Sequence, residues 1–141
     1  MAIQFFTEDI SSISIKKIIL KKWISNLIKN ENCVLGDLNI IFCSDDYILT
    51  INNQYLKHDY YTDIITFDYC VDKTINGDLF ISIDTVKTNS EKFKTSYNQE
   101  LHRVIFHGVL HLVGFKDKTP KDEKLMRKKE NQYLEMFEIK I

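Results

Sequence analysis

The sequence predicts an α/β protein of the α+β kind, in which a small mixed β-sheet packs with helices. Short runs rich in β-branched and aromatic residues are interspersed with longer stretches that carry apolar residues at helical spacing. The chain has 141 residues, 44% of them hydrophobic, with one proline, four glycines and no stretch typical of a linker. A chain of this size can bury a substantial core. We therefore predict one domain over residues 1–141.

The first half of the chain predicts a helix, a strand and a second helix. Residues 14–29 repeat apolar side chains at helical spacing, with Ser12 or Ser14 available as the cap. These apolar residues are Ile15, Ile18, Ile19, Trp23, Leu27 and Ile28. Residues 38–43 form a short apolar strand, and Ser44 with the two aspartates after it is typical of the start of a helix.

A β-hairpin is expected next. Residues 63–69 are rich in β-forming residues, and alternation places Ile65, Phe67 and Tyr69 on one face of a strand. Residues 72–77 are interpreted as the connecting turn, and residues 79–83 as the second strand.

The last third of the chain is predicted to be helical. Residues 85–112 have helical composition with a break near residues 96–98, and the second part repeats apolar side chains as far as Leu112. Thr119 followed by Pro120 predicts a capped helix start, and this last helix is expected to run to about Phe137.

Composition narrows the class of protein. No apolar run approaches the roughly 20 residues that cross a bilayer, and the first residues do not resemble a secretion signal, so a cytoplasmic location without membrane contact is expected. Cys33, Cys43 and Cys70 are widely spaced and are predicted to be reduced, buried thiols. The net charge of −1 does not favour nucleic-acid binding by the whole chain.

Two histidines carry the strongest chemical signal. His107 and His111 are four residues apart, so on a helix they project from one face and can share a metal ion. Gly114 can end the helix and return Asp117 to the same point. The spacing H-x3-H-x2-G-x2-D matches the geometry of metzincins, apart from two substitutions. The alternative is a pair of ordinary helix histidines with a glycine cap, and the complete string favours the metal site.

Three protein ligands leave one coordination position for water, which is typical of catalytic zinc and predicts a hydrolase. Two substitutions matter. Gly108 stands where metzincin proteases have their general-base glutamate, which disfavours a peptidase. Asp117 replaces the usual third histidine; a carboxylate is a competent zinc ligand, but two imidazoles and a carboxylate also suit iron, and nickel is another possible ion.

The same string resembles the signature H-G-x-L-H-L-x-G-[YF]-D-H of the YbeY family of bacterial endoribonucleases. The matching residues are His107, Gly108, Leu110, His111, Leu112, Gly114 and Phe115. Other segments resemble the family at residues 62–67 (T-D-V-L-S-F) and 77–79 (G-D-I), and at Asn52, Tyr55, Met126 and Glu130. The resemblance covers about residues 38–137.

This resemblance implies an α/β fold with a zincin-like metal-binding helix, a cytoplasmic location and metal-dependent cleavage of single-stranded RNA. It further implies a role in ribosomal RNA processing, including maturation of the 16S rRNA 3′ end, and in ribosome quality control, with the ribosome or ribosomal proteins as partners. Two positions depart from the family pattern. Lys116-Asp117 replaces D-H, which preserves a ligand. Leu56 replaces an arginine expected to contact phosphate, and this contact is lost unless Lys57 or another cation supplies it.

The remaining candidates are polar groups near the predicted strands and a basic run. The group that transfers a proton is not identified by the sequence; Asp63, Thr66 and Asp78 are candidates, each of which could equally be a cap or turn residue. Seven cations occur in the fourteen residues 116–129, and the interleaved acidic residues, Glu130 among them, favour a solvated helix face over an RNA-binding surface. These cations are Lys116, Lys118, Lys121, Lys124, Arg127, Lys128 and Lys129.

Three functions remain in competition. The sequence favours a single-strand-specific endoribonuclease with one zinc ion. A metalloprotease or other zinc hydrolase with the same ligand geometry is the second, and Gly108 disfavours the protease. The third is a ribosome assembly factor with a mainly structural metal and weak catalysis, which the open coordination position disfavours.

Overall fold

The computed structural model describes residues 2–56 and 62–138. Strands and helices follow one another in the order β1 (Ala2–Thr7), α1 (Lys17–Asn30), β2 (Val34–Cys43), α2 (Asp45–Leu56), β3 (Ile64–Asp68), β4 (Thr74–Ser82), α3 (Ile83–Lys92), α4 (Tyr97–Leu112) and α5 (Pro120–Glu138). The predicted mixture of strands and helices is confirmed.

The four strands form one mixed sheet in the order β1-β2-β4-β3. β2 pairs in parallel with both β1 and β4, and β3 pairs antiparallel with β4 as the predicted hairpin. β3 is therefore an edge strand, with one side free of sheet partners among the described residues.

Helices cover the two faces of the sheet unequally. Leu38, Leu79 and Ile64 belong to a large apolar core shared with α1, α4 and α5. The alternate strand residues Ile65 and Cys43 pack in a smaller cluster with α2 on the other face. Successive side chains of a strand point to opposite faces of the sheet. Alternate residues of one strand therefore contact different helices.

Local capping explains where three helices begin. The Ser44 hydroxyl accepts a hydrogen bond from the Tyr47 N–H, Ser96 accepts from Gln99, and Thr119 accepts from Asp122. These bonds satisfy N–H groups that the first helical turn leaves without partners. The predicted helix starts at Ser44 and Thr119, and the break near residues 96–98, are thus confirmed.

Several expectations about elements are wrong. The sequence did not reveal β1, β2 begins at Val34 rather than 38, and β4 begins inside the turn expected at residues 72–77. α1 begins after Lys16 without a side-chain cap, not at a serine. Ile18, expected on the apolar face, is 86% exposed, because the helix turns its neighbour Leu20 to the core instead.

The three cysteines are free thiols, as predicted, but the predicted burial holds only for Cys43; Cys33 and Cys70 are half-buried. In the described part of the chain, no helix combines the length and hydrophobicity needed to cross a membrane.

Candidate metal centre

Both histidines lie on α4, which packs against the sheet next to His107. Gly108 is a residue of α4 that faces strands β3 and β4. A Cβ atom added to it would lie 2.7 Å from Ile64 Cδ1 and 3.0 Å from the methyl carbons of Leu79. The absence of a side chain at this position therefore lets α4 pack directly on the sheet and holds His107 beside β3.

α4 ends in a turn that directs the chain back toward the histidines. The Phe115 N–H donates to the Leu110 carbonyl at 3.0 Å, and the Gly114 N–H donates to the His111 carbonyl at 3.1 Å. This pair of bonds is the Schellman arrangement, which requires a positive φ at the residue after the cap. Gly114 has φ of +118°, which side chains rarely allow, so the predicted helix stop at Gly114 is confirmed.

The turn brings Asp117 to the two imidazoles. The Nε2 atoms of His107 and His111 lie 3.1 Å apart, and Asp117 Oδ2 lies 3.4 Å from the first and 3.3 Å from the second. Ligand atoms about 2.0–2.1 Å from a tetrahedral ion are roughly 3.3–3.4 Å from one another. The three side chains therefore form a group that could hold a metal ion.

The tautomer of His107 is determined by the hydrogen bond at Nδ1, the ring nitrogen that does not face His111 and Asp117. Nδ1 of His107 lies 2.6 Å from Glu130 Oε2. An ionised carboxylate only accepts hydrogen bonds, so Nδ1 carries the hydrogen and donates it. In the neutral ring, Nε2 then presents a lone pair toward His111 and Asp117, which is the form that binds a metal ion.

Opposing effects set the pKa values in this region. Burial lowers the pKa of His107, but the hydrogen bond and charge of Glu130, aided by Asp63 and Asp117, outweigh it and raise that pKa. Burial raises the pKa of Glu130, but His107 and Arg103 more than offset this effect and lower that pKa. The lowered pKa of Glu130 favours an ionised carboxylate beside the ring. Burial also raises the pKa of Asp63.

A cleft of about 690 Å³ opens beside the three side chains. It lies between α2, the edge strand β3 and the loop after α4, and its lining includes Asp63, Thr66 and Lys118. Asp117 is the most exposed member of the metal-binding group, with 42% of its side chain accessible, compared with 23% for His107. The group is therefore reachable from solvent, as a catalytic centre requires.

The three candidates for proton transfer do not all reach this cleft. Asp63 and Thr66 line it, but Asp78 does not. The neighbouring residue Leu79 faces Gly108 on α4, so Asp78 points to the opposite face of the sheet, where it accepts a hydrogen bond from the Asn39 amide at 3.0 Å. The structure therefore places Asp78 away from this cleft, because adjacent residues of a strand face opposite sides of the sheet.

Three features near the site were not predicted from the sequence. Glu130 is buried and bonded to His107 rather than lying on a solvated helix face. Arg103 bonds to the other oxygen of Glu130 at 3.0 Å. Asn52, which matched a family position, is buried and lines the cleft. The sequence held partial signals for these contacts: Arg103 and His107 are four residues apart on one helix, and Glu130 is four residues after the apolar Met126.

The basic run divides into two groups. Within residues 2–56 and 62–138, two cations of the run form ion pairs. Lys129 lies 3.2 Å from Glu31, and Arg127 lies 3.5 Å from Glu130. Lys116, Lys118 and Lys121 are exposed, and Lys118 lines the cleft. Leu56, which stands in place of the family arginine, also lines the cleft, and Lys57 lies outside the described residues.

Comparison with known proteins agrees with this geometry. The sequence profile of the family described as Endoribonuclease YbeY matches residues 4–138. The chain belongs to this family. An Endoribonuclease YbeY of Parabacteroides distasonis is 53% identical over 134 residues, covering 95% of this chain and 94% of that protein. One of Bacteroides thetaiotaomicron is 51% identical over 136 residues, covering 96% and 99%.

A solved structure agrees with the fold of this YbeY family member. The solution structure of TM1509 from Thermotoga maritima aligns with a TM-score of 0.68 and 27% sequence identity, covering 95% of this chain and 87% of that one. The family match extends well before residue 38, so the resemblance is broader than the sequence motifs indicated.

The packing of Gly108 leads to a prediction about stability. Gly108→Ala should lower the free energy of unfolding by about 0–2 kcal/mol. Forcing a methyl group against the sheet should cost about 1–3 kcal/mol, and the higher helix propensity of alanine should recover about 1 kcal/mol. Gly108→Glu should lower it by about 3 kcal/mol or more, because an unpartnered carboxylate would lie between apolar side chains. Urea denaturation measures both changes.

Gln99→Glu, at an exposed position of the same helix, is the matched control and should change stability by less than about 0.5 kcal/mol. A Gly108→Glu variant as stable as the parent would show that contact with the sheet is not what requires glycine here.

Proposed function

We propose that this chain is a metal-dependent endoribonuclease that cleaves single-stranded RNA, with one zinc ion bound by His107, His111 and Asp117. The observation that carries the proposal is the triangle of donor atoms, 3.1–3.4 Å on each side, at an open cleft in a member of an endoribonuclease family. Zinc is proposed because this spacing suits tetrahedral coordination by nitrogen and oxygen. Iron and nickel are the alternatives that elemental analysis would distinguish.

A divalent ion at this position would act as a Lewis acid and lower the pKa of a bound water toward about 7. The chain's own residues supply the rest of the chemistry. Asp63 lines the cleft close enough to His107 for their charges to influence each other's pKa, so we propose that it accepts or delivers the proton during hydrolysis. Thr66 on β3 also lines the cleft and is proposed to orient the substrate phosphate by hydrogen bonding.

The proposed biological role is ribosomal RNA processing, in particular maturation of the 16S rRNA 3′ end and ribosome quality control. We propose that the protein works in the cytoplasm as one catalytic domain over residues 1–141, with the ribosome or ribosomal proteins as partners. Exposed Lys116, Lys118 and Lys121, for which the described residues supply no carboxylate partner, are proposed to contact RNA phosphates.

A metalloprotease is not favoured. Position 108, where a metzincin protease has glutamate, packs against Ile64 and Leu79 and does not face the cleft. We expect the purified protein to cleave single-stranded RNA and to leave a panel of peptides intact, with cleavage abolished by chelation and restored by zinc. Metal-dependent hydrolysis of peptides without cleavage of RNA would establish the protease instead.

The proposed ligand set predicts the metal content of three variants. The parent should bind about one zinc ion per chain, and His107→Ala or His111→Ala should remove most of it, because only two protein ligands remain. Asp117→His should retain more zinc than either, since imidazole is also a zinc ligand. Elemental analysis of the folded fraction measures the content.

His102→Ala removes a histidine of the same helix that contacts Trp23 rather than the cleft, and should leave the zinc content unchanged. Full zinc occupancy in either the His107 or the His111 variant would refute the ligand set.

Substrate binding and chemistry should be separable by mutation. Replacing Lys116, Lys118 and Lys121 by Gln should raise KM for RNA. It should also reduce the slope of log K against log salt by roughly 0.7 for each phosphate of the single strand that the variant no longer neutralises. Asp63→Asn should lower kcat by about 100-fold or more and leave that slope unchanged. Cleavage and binding assays over a series of salt concentrations measure both effects.

Zinc content should remain unchanged in both variants, since neither removes a ligand. If the triple lysine variant keeps the parental affinity and salt slope, these lysines are a solvated surface and RNA binds elsewhere in the cleft.

A further inference from the structure

Glu130 occupies an unusual position for a charged residue. It lies in the middle of α5, where the surrounding sequence is rich in lysine and glutamate, yet only 4% of it is accessible to solvent. Burying a carboxylate is costly unless it is paired and hydrogen-bonded. The contacts that compensate for its burial therefore indicate why it is there.

Each oxygen of Glu130 has a different partner. Oε2 lies 2.6 Å from His107 Nδ1, and Oε1 lies 3.0 Å from Arg103 Nη1. His107 and Arg103 are four residues apart on α4, so they face α5 together and hold the carboxylate from two sides. Arg127 also approaches Oε1, at 3.5 Å, but 60% of its side chain is exposed, compared with 19% for Arg103.

We propose that Glu130 is a positioning residue that keeps the His107 ring turned with Nε2 toward His111 and Asp117, and that Arg103 acts through Glu130 by keeping its carboxylate in place. The inference rests on the proposed metal centre and adds two residues to it that touch neither metal nor RNA. Arg103 lies within 4.0 Å of Glu100 as well, so it also neutralises a second buried carboxylate.

This arrangement has a consequence for affinity. Without the Glu130 acceptor, the imidazole can rotate and populate the tautomer with hydrogen on Nε2, and Nε2 then has no lone pair to offer a metal ion between His111 and Asp117. Partners of this kind, which hold a metal-binding histidine by its other nitrogen, change metal affinity by about 10- to 100-fold when removed. A carboxylate that merely joined α4 to α5 would affect stability but not zinc affinity.

The first test measures zinc affinity by chelator competition. Glu130→Ala should weaken affinity by about 10- to 100-fold, and Glu130→Gln, which keeps a hydrogen-bond acceptor near Nδ1 and preserves the shape, should have a smaller effect. Arg103→Met should weaken affinity less than Glu130→Ala, and combining the two changes should add little to Glu130→Ala alone, because Arg103 acts through Glu130. Glu123→Gln, at an exposed position of α5, is the matched control.

The second test uses no metal and so separates this inference from the proposed function. ¹⁵N NMR of the metal-free protein, at a pH where the His107 ring is neutral, should show hydrogen on Nδ1 in the parent and a mixture of tautomers in Glu130→Ala. If that variant does not fold, Glu130→Gln provides the same comparison with a smaller expected change.

Parental zinc affinity together with the parental tautomer in a folded Glu130 variant would overturn the proposal and leave Glu130 as a link between helices. A parent protein that binds neither zinc nor iron nor nickel, but shows the Nδ1 tautomer only while Glu130 is present, would refute the metal centre while supporting the positioning role.

Discussion

Three atoms with lone pairs, two imidazole nitrogens and a carboxylate oxygen, lie within 3.4 Å of one another, and the surrounding structure is organised around their proximity. Such atoms do not attract one another unless a proton or a metal ion lies between them. Holding them together therefore requires support from the fold. That support comes from the sheet beneath α4, the turn at Gly114 and the carboxylate of Glu130 behind His107.

The charges around the site are arranged at two distances from it. Next to the histidines, the buried carboxylate of Glu130 is compensated by hydrogen bonds from Arg103 and His107. Exposed lysines lie further out on the loop after α4 and on α5. A net charge of −1 for the whole chain conceals this separation, which is why total charge was a poor guide to a possible RNA-binding surface.

Family membership and local packing both indicate that position 108 requires glycine. The family signature has glycine at this position, and the structure supplies a physical reason, since Ile64 and Leu79 occupy the space that a side chain would need. The residue that separates this family from metzincin proteases is therefore also the residue that allows the metal-binding helix to approach the sheet. Leu56 remains a difference from the family pattern at the edge of the same cleft.

Local signals in the sequence determined the parts of the molecule that depend on neighbours within about one helical turn. The spacing of His107 and His111, the glycine stop and the caps at Ser44 and Thr119 all follow from hydrogen bonds and side-chain positions a few residues apart. The β3–β4 hairpin was also predictable, because its strands are adjacent in sequence, although its turn is shorter than the expected residues 72–77.

Only the tertiary structure decided which distant residues meet these elements. β1 is defined by its parallel pairing with β2, some 35 residues later, and has little apolar pattern of its own. Glu130 meets His107 across 23 residues. Helical spacing places it on the buried face of α5 with Met126 and Tyr133, but does not show which residue of another helix it meets. The sequence could not show which face of the sheet Asp78 occupies. The start of β4 was not known, and in a strand of period two an unknown start leaves the face undetermined.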